Sequence, residues 1–329
     1  MILLFALDVA LGSASLSAVE LVQALDPRQP ADATSTRIVR EFRLPKAATA
    51  ALAGAALAAA GLAMQALFRN PLAGPFVLGI SSGASLGVAL VLLSAGVGAE
   101  RLLASVGLGG SVAVATAASL GAAAALGLVL AVAQRVSVVT LLVLGMLFGH
   151  AASALVSILL HFSLAERVQA YVVWTFGSFA GTTRGELAVL AGATTLGFVL
   201  LALAVKPLDA LLLGEAHARS LGVSIGAARL TLIGATALLA GSVTAFCGPI
   251  GFVGVAVPHL ARGLLRRATH GALLPACALL GAAVALAADL LAQLPGVEAV
   301  LPLNAVTALL GAPVVAAIVL RRRIDGAFA

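Results

Sequence analysis

Long, continuously apolar runs separated by short polar punctuation set the pattern of this chain. The runs do not alternate as strands facing lipid would; they are apolar on every face and rich in small residues, which marks helices. At about 1.5 Å of rise per residue, roughly 20 such residues cross a hydrocarbon core of about 30 Å. The spans fall near Leu44 to Leu67, Phe76 to Ala95, Leu108 to Val132, Leu141 to Leu160, Leu187 to Val205, Gly226 to Phe246, Gly251 to Leu265, Ala272 to Ala292 and Asn304 to Leu320. Met1 to Leu11 is apolar but too short to span, and it lacks the basic region and cleavage site of a signal peptide. It reads as the end of a first helix, either truncated or partly buried beneath its neighbours. The expected fold is an all-α polytopic transmembrane bundle of about ten helices. It forms a single permease-like domain over residues 1–329.

The punctuation fixes orientation. Gly12 to Arg43 is the longest polar connection and is placed outside the membrane. With both termini in the cytoplasm, eleven of the 19 basic residues face inward: Arg69, Arg135, Lys206, Arg219, Arg229, Arg262, Arg266, Arg267 and Arg321 to Arg323. Eight face outward, and five of those lie between Arg28 and Lys46. Elsewhere the positive-inside rule holds, so this outward cluster needs its own reason.

Composition agrees, with 62% hydrophobic residues, 10% charged and a mean hydropathy of +1.15, beyond what a soluble core uses. The net charge of +6 sits between apolar runs as topology signals, which argues against nucleic acid. Cys247 and Cys277 lie in separate apolar stretches without CxxC or His spacing, and read as buried small hydrophobes. Small residues at three- or four-residue spacing, as in Gly54, Ala58 and Gly61 or in Gly121 and Ala125, allow helix backbones to approach closely.

Three polar features stand out. Phe68-Arg69-Asn70-Pro71-Leu72 breaks the chain at the inner end of the second span, and Pro71 and Pro75 force a tight hairpin. Gly214 to Gly222, with Glu215, His217, Arg219 and Leu221, reads as a short cytoplasmic surface helix ending at a glycine, within a polar segment 206–225. His150 lies inside the fifth span, where an ionisable group must face protein or a water-filled cavity. A helix-to-helix hydrogen bond or a place on a pathway would satisfy it. His259 and Arg262 in "VAVPHLAR" read as interfacial anchors, and no His carries metal-ligand spacing.

From Arg43 nearly to the C-terminus, the strings "RLPKAATAALAGAALAAAGLAMQALFRNPLAGPFVLGISSGASLG", "LLLGEAHARSLGV", "GPIGFVGVAVPHLAR" and "LPLNAVTALLGAP" resemble the FecCD-type permeases of type II ABC importers for iron chelates, haem and cobalamin. The resemblance implies two permease subunits around a central pathway, a homodimer-like arrangement. It also implies two cytoplasmic ATPases that bind ATP and Mg, a periplasmic binding protein, and a place in the bacterial inner membrane. It makes Gly214, Glu215, His217, Arg219, Leu221 and Gly222 the ATPase-coupling segment. Asn70, Leu72, Val138 and Val139 become the cytoplasmic gate, and the helix carrying His150 a pathway helix. Arg43 and Lys46 would receive acids of the binding protein, and Gln293 stands where the family has a third basic residue; Arg40 is close enough to compensate. Contact with lipid headgroups is the plainer role for Arg43 and Lys46.

No GxxxxGK[ST] loop, catalytic triad, HExxH or paired carboxylates placed for chemistry occur, so the chain is no enzyme and ATP must be hydrolysed by a partner. No cofactor or metal is implied for it. An ion-coupled carrier would place acids near the midplane, and only Asp8 and Asp289 are flanked by apolar residues on both sides. A structural hydrogen bond is the plainer role for Asp289. A passive channel would show a filter or charged ring, and neither is visible. Family frequency favours an iron chelate or haem as cargo, with cobalamin the alternative.

Overall fold

A computed structural model describes residues 1–12, 16–25, 33–94, 110–265, 269–293 and 300–326. Among them every regular element is helical: α1 (Ile2–Ala10), α2 (Ala18–Leu25), α3 (Ala33–Arg37), α4 (Leu44–Leu67), α5 (Ile80–Leu92), α6 (Gly110–Ala133), α7 (Val138–His161), α8 (Ala165–Thr175), α9 (Arg184–Leu203), α10 (Val205–Leu212), α11 (Glu215–Ser220), α12 (Ile225–Cys247), α13 (Val253–Leu265), α14 (His270–Ala292) and α15 (Leu303–Gly326).

Among the described residues six helices are long and apolar enough to cross a membrane, whereas about ten spans were expected. Ile80–Leu92, Val253–Leu265 and Leu303–Ala317 are apolar but shorter. The first two begin after irregular stretches whose residues Ala73, Leu78 and Ile250 are buried, so non-helical backbone takes up chain that the apolar pattern assigned to helix. Such backbone is tolerated at membrane depth only where protein surrounds it. Three helical pieces were not foreseen. Helix α8 fills the gap after α7, while α2 and α3 lie in the connection read as loop. At the start of α2, Ser17 and Glu20 bond reciprocally, and these bonds hold the Glu20 carboxyl below its usual range.

Pro45 does not begin the second span. A π-helical turn at Ile38–Arg43 joins α3 to α4, and the Leu44 N–H donates to the Val39 carbonyl five residues back. The widened turn accommodates the missing proline donor, so helix runs from Thr34 to Leu67.

Helix α4 is the core. It packs against α14, α12, α13, α9, α10 and α1, and from Ala53 to Leu67 nearly every residue is buried. Its Ala and Gly residues make this crowding possible, because lipid is as apolar as a side chain and association depends on close packing. A Cβ on Gly54 would lie 2.1 Å from the Gly281 carbonyl oxygen, and one on Gly281 would lie 2.2 Å from that of Gly54. A Cβ on Gly61 would meet the Gly254 oxygen at 1.7 Å. Gly83 and Gly121 repeat the reciprocal contact between α5 and α6. The small-residue spacing in the sequence therefore marks backbone contacts, with Ala58 and Ala125 completing them. By contrast α7 and α9 are largely exposed, and Val143, Met146 and Leu147 form an uncovered apolar side of α7.

Gly61→Leu should abolish recovery of monodisperse protein from detergent-solubilised membranes, because the obstructing atom is backbone. Gly127→Ala, with nothing within 4 Å of the added carbon, should leave stability within about 0.5 kcal/mol.

Candidate functional site

At the N-terminal end of α4, the end expected to face outward, burial and charge coincide. The Lys46 ammonium lies 2.9 Å from Asp289 Oδ2 and 3.4 Å from Asp8 Oδ1, with Lys46 only 8% exposed. Gln293 Nε2 donates to Asp289 Oδ2 at 2.6 Å and to Asp8 Oδ1 at 3.2 Å. Arg43 Nη1 donates to the carbonyls of Val9 and Ala10 at 3.1 and 2.7 Å, closing the last turn of α1, where the helix dipole favours a cation. Gly12 lies directly against this guanidinium. Arg43, Lys46 and Gln293 lie close together, and their described partners belong to α1 and α14 of the same chain. The outward cations have an intramolecular reason: they fasten the short α1 to the core. Arg40 Nε bonds to the Ala24 carbonyl, Arg184 Nη2 to the Arg40 carbonyl, and Arg37 Nε lies 3.6 Å from Glu41 Oε2; among the described residues here Arg37 and Arg184 are exposed, Arg37 already beside a carboxylate.

At the opposite end of α4, helix α13 clamps the hairpin. Arg262 Nη1 donates to Gln65 Oε1 at 2.7 Å, Gln65 Nε2 to the Val255 carbonyl at 3.1 Å, and His259 Nε2 lies 2.8 Å from the Pro71 carbonyl. Asn70 Oδ1 accepts from the Leu72 N–H, making a local turn that leaves Leu72 exposed. Arg69 takes φ 47°, an uncommon conformation for a side-chain-bearing residue, and its guanidinium lies beside Gly214.

Gly214 opens α11 with φ 100° and Gly222 closes it with φ 82°. The Val223 N–H donates to the Ala218 carbonyl and the Gly222 N–H to that of Arg219, the paired bonds of a Schellman stop. Ala218 is buried beneath the helix, while His217, Arg219 and Leu221 are exposed beside Leu212 and Leu213. Two contacts tie this segment down. Asp209 Oδ1 accepts from the backbone N–H of His270 at 2.8 Å and lies 2.6 Å from its Nδ1, at the start of α14. Glu215 Oε1 accepts from Arg229 Nη2 at 2.9 Å.

The turn between α6 and α7 lies alongside. Ser137 caps α7 by accepting from the Thr140 N–H, and Val138 and Val139 follow, Val139 being 72% exposed. His150 sits on the exposed side of α7, spaced with Val143 and Leu147 along one face. Among the described residues no group of three or more His, Cys, Asp or Glu could hold a metal ion.

Among the described residues no nucleophile or acid–base pair is aimed at a cavity; the arrangement is two polar ends joined by packed helices. A family model described as the FecCD transport family matches residues 1–321. The chain belongs to the FecCD transport family.

Two relatives named vitamin B12 import system permease protein BtuC resemble this FecCD permease over most of its length. That of Klebsiella pneumoniae subsp. pneumoniae is 38% identical over 304 residues, covering 92% of this chain and 88% of its own. That of Escherichia coli O157:H7 (strain EC4115 / EHEC) is 38% identical over 279 residues, covering 84% and 81%. A solved structure described as an inward-facing metal-chelate type ABC transporter superposes with a TM-score of 0.83 at 30% identity, covering 97% of this chain and 96% of that one. The protein is therefore a multi-pass transport subunit of the ABC importer kind, not a catalytic one.

Sequence reasoning missed two contacts of this permease, Arg229 with Glu215 and His270 with Asp209. Arg229 had been counted only as a topology signal. Its position a turn into an apolar span was the available clue, since a cation there needs a partner.

Lys46→Met leaves two buried carboxylates without their cation and should cost about 3–5 kcal/mol. Adding Asp289→Asn should recover part of the loss. A thiol-reactive dye reads this melt, because Cys247 and Cys277 are both buried and free. A single Lys46→Met variant as stable as the parent would show that the cluster contributes nothing.

Proposed function

We propose that two copies of this chain line the pathway of an ATP-driven importer in the bacterial inner membrane. A periplasmic binding protein delivers a metal chelate, and two cytoplasmic ATPases, carrying the ATP and Mg, drive its release inward. Cobalamin is the favoured cargo. The observation that carries this choice is 38% identity with a vitamin B12 permease over 92% of the chain. The iron-chelate reading that family frequency favoured rests on the metal-chelate description of the solved structure, at 30% identity.

Within this reading α11 docks in the ATPase. A helix anchored by buried Ala218 and stopped at both ends by glycines leaves His217, Arg219 and Leu221 exposed on either side of the buried edge. Leu212 and Leu213 add apolar surface that no described residue covers. Asn70, Leu72, Val138 and Val139 form the inner gate, where exposed apolar side chains from two subunits close by contact and by excluding water. The open side of α7, with His150, faces the pathway or the second subunit.

The binding protein meets the outer rim. Arg43 and Lys46 hold that rim together from below, and reversing both to Glu would break the Asp8 cluster before it tested docking. Arg184 carries exposed charge, with Arg37 beside Glu41, so docking should weaken as salt shortens the reach of exposed pairs, about 10 Å at 0.1 M.

The test is uptake into proteoliposomes holding the permease with its ATPase and binding protein. Labelled cyanocobalamin should accumulate in an ATP-dependent way, and ferric siderophores should not. Replacing Glu215, His217 and Arg219 together by Ala should strip the ATPase from the complex and lower uptake at least about tenfold. Uptake of ferric chelates alone would reverse the choice of cargo, and unchanged ATPase association would remove α11 from the interface.

A further inference from the structure

Arg229 is buried, 8% exposed, one turn into α12, and it belongs to neither the coupling face nor the gate. Its guanidinium nonetheless joins them. Nη2 donates to Glu215 Oε1 at 2.9 Å, at the first residue of α11. Nη1 donates to the Ala133 carbonyl at 2.7 Å and to the Val136 carbonyl at 2.8 Å. Ala133 ends α6, and Val136 lies two residues before Val138 in the turn that starts α7.

Each partner has a physical reason. The closing carbonyls of α6 lack intrahelical donors and carry the negative end of the helix dipole, so a cation is favoured there. Glu215 supplies the counter-charge that a buried guanidinium requires, and does so from a half-exposed position that an external partner can move. Arginine alone among the basic side chains presents a rigid fork able to hold a carboxylate on one nitrogen and two carbonyls on another. Its Nε is buried with no hydrogen-bond partner recorded, so the side chain is held by these three contacts at its tip.

We propose that Arg229 is the positioning residue that transmits motion of the coupling helix to the gate. Displacing α11 moves Glu215, the guanidinium follows its carboxylate, and the 133–136 turn is pulled or released, which shifts Val138 and Val139. The proposal rests on the ATPase-docking reading above and specifies how that docking reaches the pathway.

The experiment compares the parent with Arg229→Gln, Arg229→Lys, Glu215→Gln and the double variant Glu215→Gln/Arg229→Gln, each assembled with the ATPase and binding protein in proteoliposomes. The readouts are cyanocobalamin taken up per ATP hydrolysed and the nucleotide dependence of disulfide formation between Asn70→Cys and Val138→Cys introduced on the two subunits. Arg229→Gln should lower uptake per ATP at least about tenfold while ATP hydrolysis continues, and the crosslink should lose its nucleotide dependence. Arg229→Lys, which keeps the charge but not the fork, should be intermediate. The double variant should be no worse than the worse single one, because both break one connection.

Arg229→Gln removes the buried charge and leaves only the half-exposed Glu215 unpaired, so it reports if Glu215→Gln, which strands the guanidinium without its counter-charge, fails to assemble. Uptake per ATP within twofold of the parent in Glu215→Gln or Arg229→Gln, or losses that multiply in the double variant, overturns the proposal. A parent chain that fails to retain the ATPase overturns the underlying reading instead, so the two failures are distinct.

Discussion

Backbone contact along α4 is the constraint from which the rest follows. In a bilayer, helices gain nothing by hiding apolar side chains from lipid, so a central helix with neighbours on all sides must be held by packing that larger residues would prevent. Gly54 against Gly281 and Gly61 against Gly254 place α14 and α13 at distances where a single added carbon would overlap backbone oxygen. That rigidity lets the two polar ends of α4 serve as fixed points. The outer end carries the Lys46 cluster and α1, while the inner end carries Gln65, the hairpin and, through Arg69, the edge of α11.

Around this fixed core the less buried elements are the ones given a part in transport. Helix α7 shows an apolar side that no helix among the described residues covers, and α11 shows a mixed polar and apolar surface beyond the core. Among the described residues charged side chains bridge elements: buried Lys46 joins α1 to α14, half-exposed Asp209 joins α10 to α14, and buried Arg229 joins α11 to the α6–α7 turn. A buried ion pair contributes little net stability, yet losing one partner is costly, so such pairs enforce a particular arrangement of the helices they join.

The long spans were legible because continuous apolar runs and small-residue spacing record burial in lipid and backbone contact directly. The stop at Gly222 was legible for a similar local reason, since a left-handed glycine after a short polar helix has one common use. What the pattern hid was long-range or compensatory. The π turn that carries helix through Pro45 has no residue signature, and α8 is too mixed in character to register as a span. The partners of Arg43 and Lys46 lie in α1 and α14, far along the chain, so their positions suggested docking while their contacts could not be read. The same holds for Arg229, whose importance comes from two carbonyls and a carboxylate contributed by separate elements.

The central claim, that the coupling helix and the gate move as one connected unit, is tested most directly by distance measurement. Spin labels on Val139→Cys of both permease subunits report the gate, since Cys247 and Cys277 are buried and do not compete for label. The assembled complex should show two resolved distance distributions, one with ATP bound and one without, and an Arg229→Gln background should collapse them to one. A label distance that stays the same while the ATPases close on ATP, or that still switches fully without Arg229, would contradict the account.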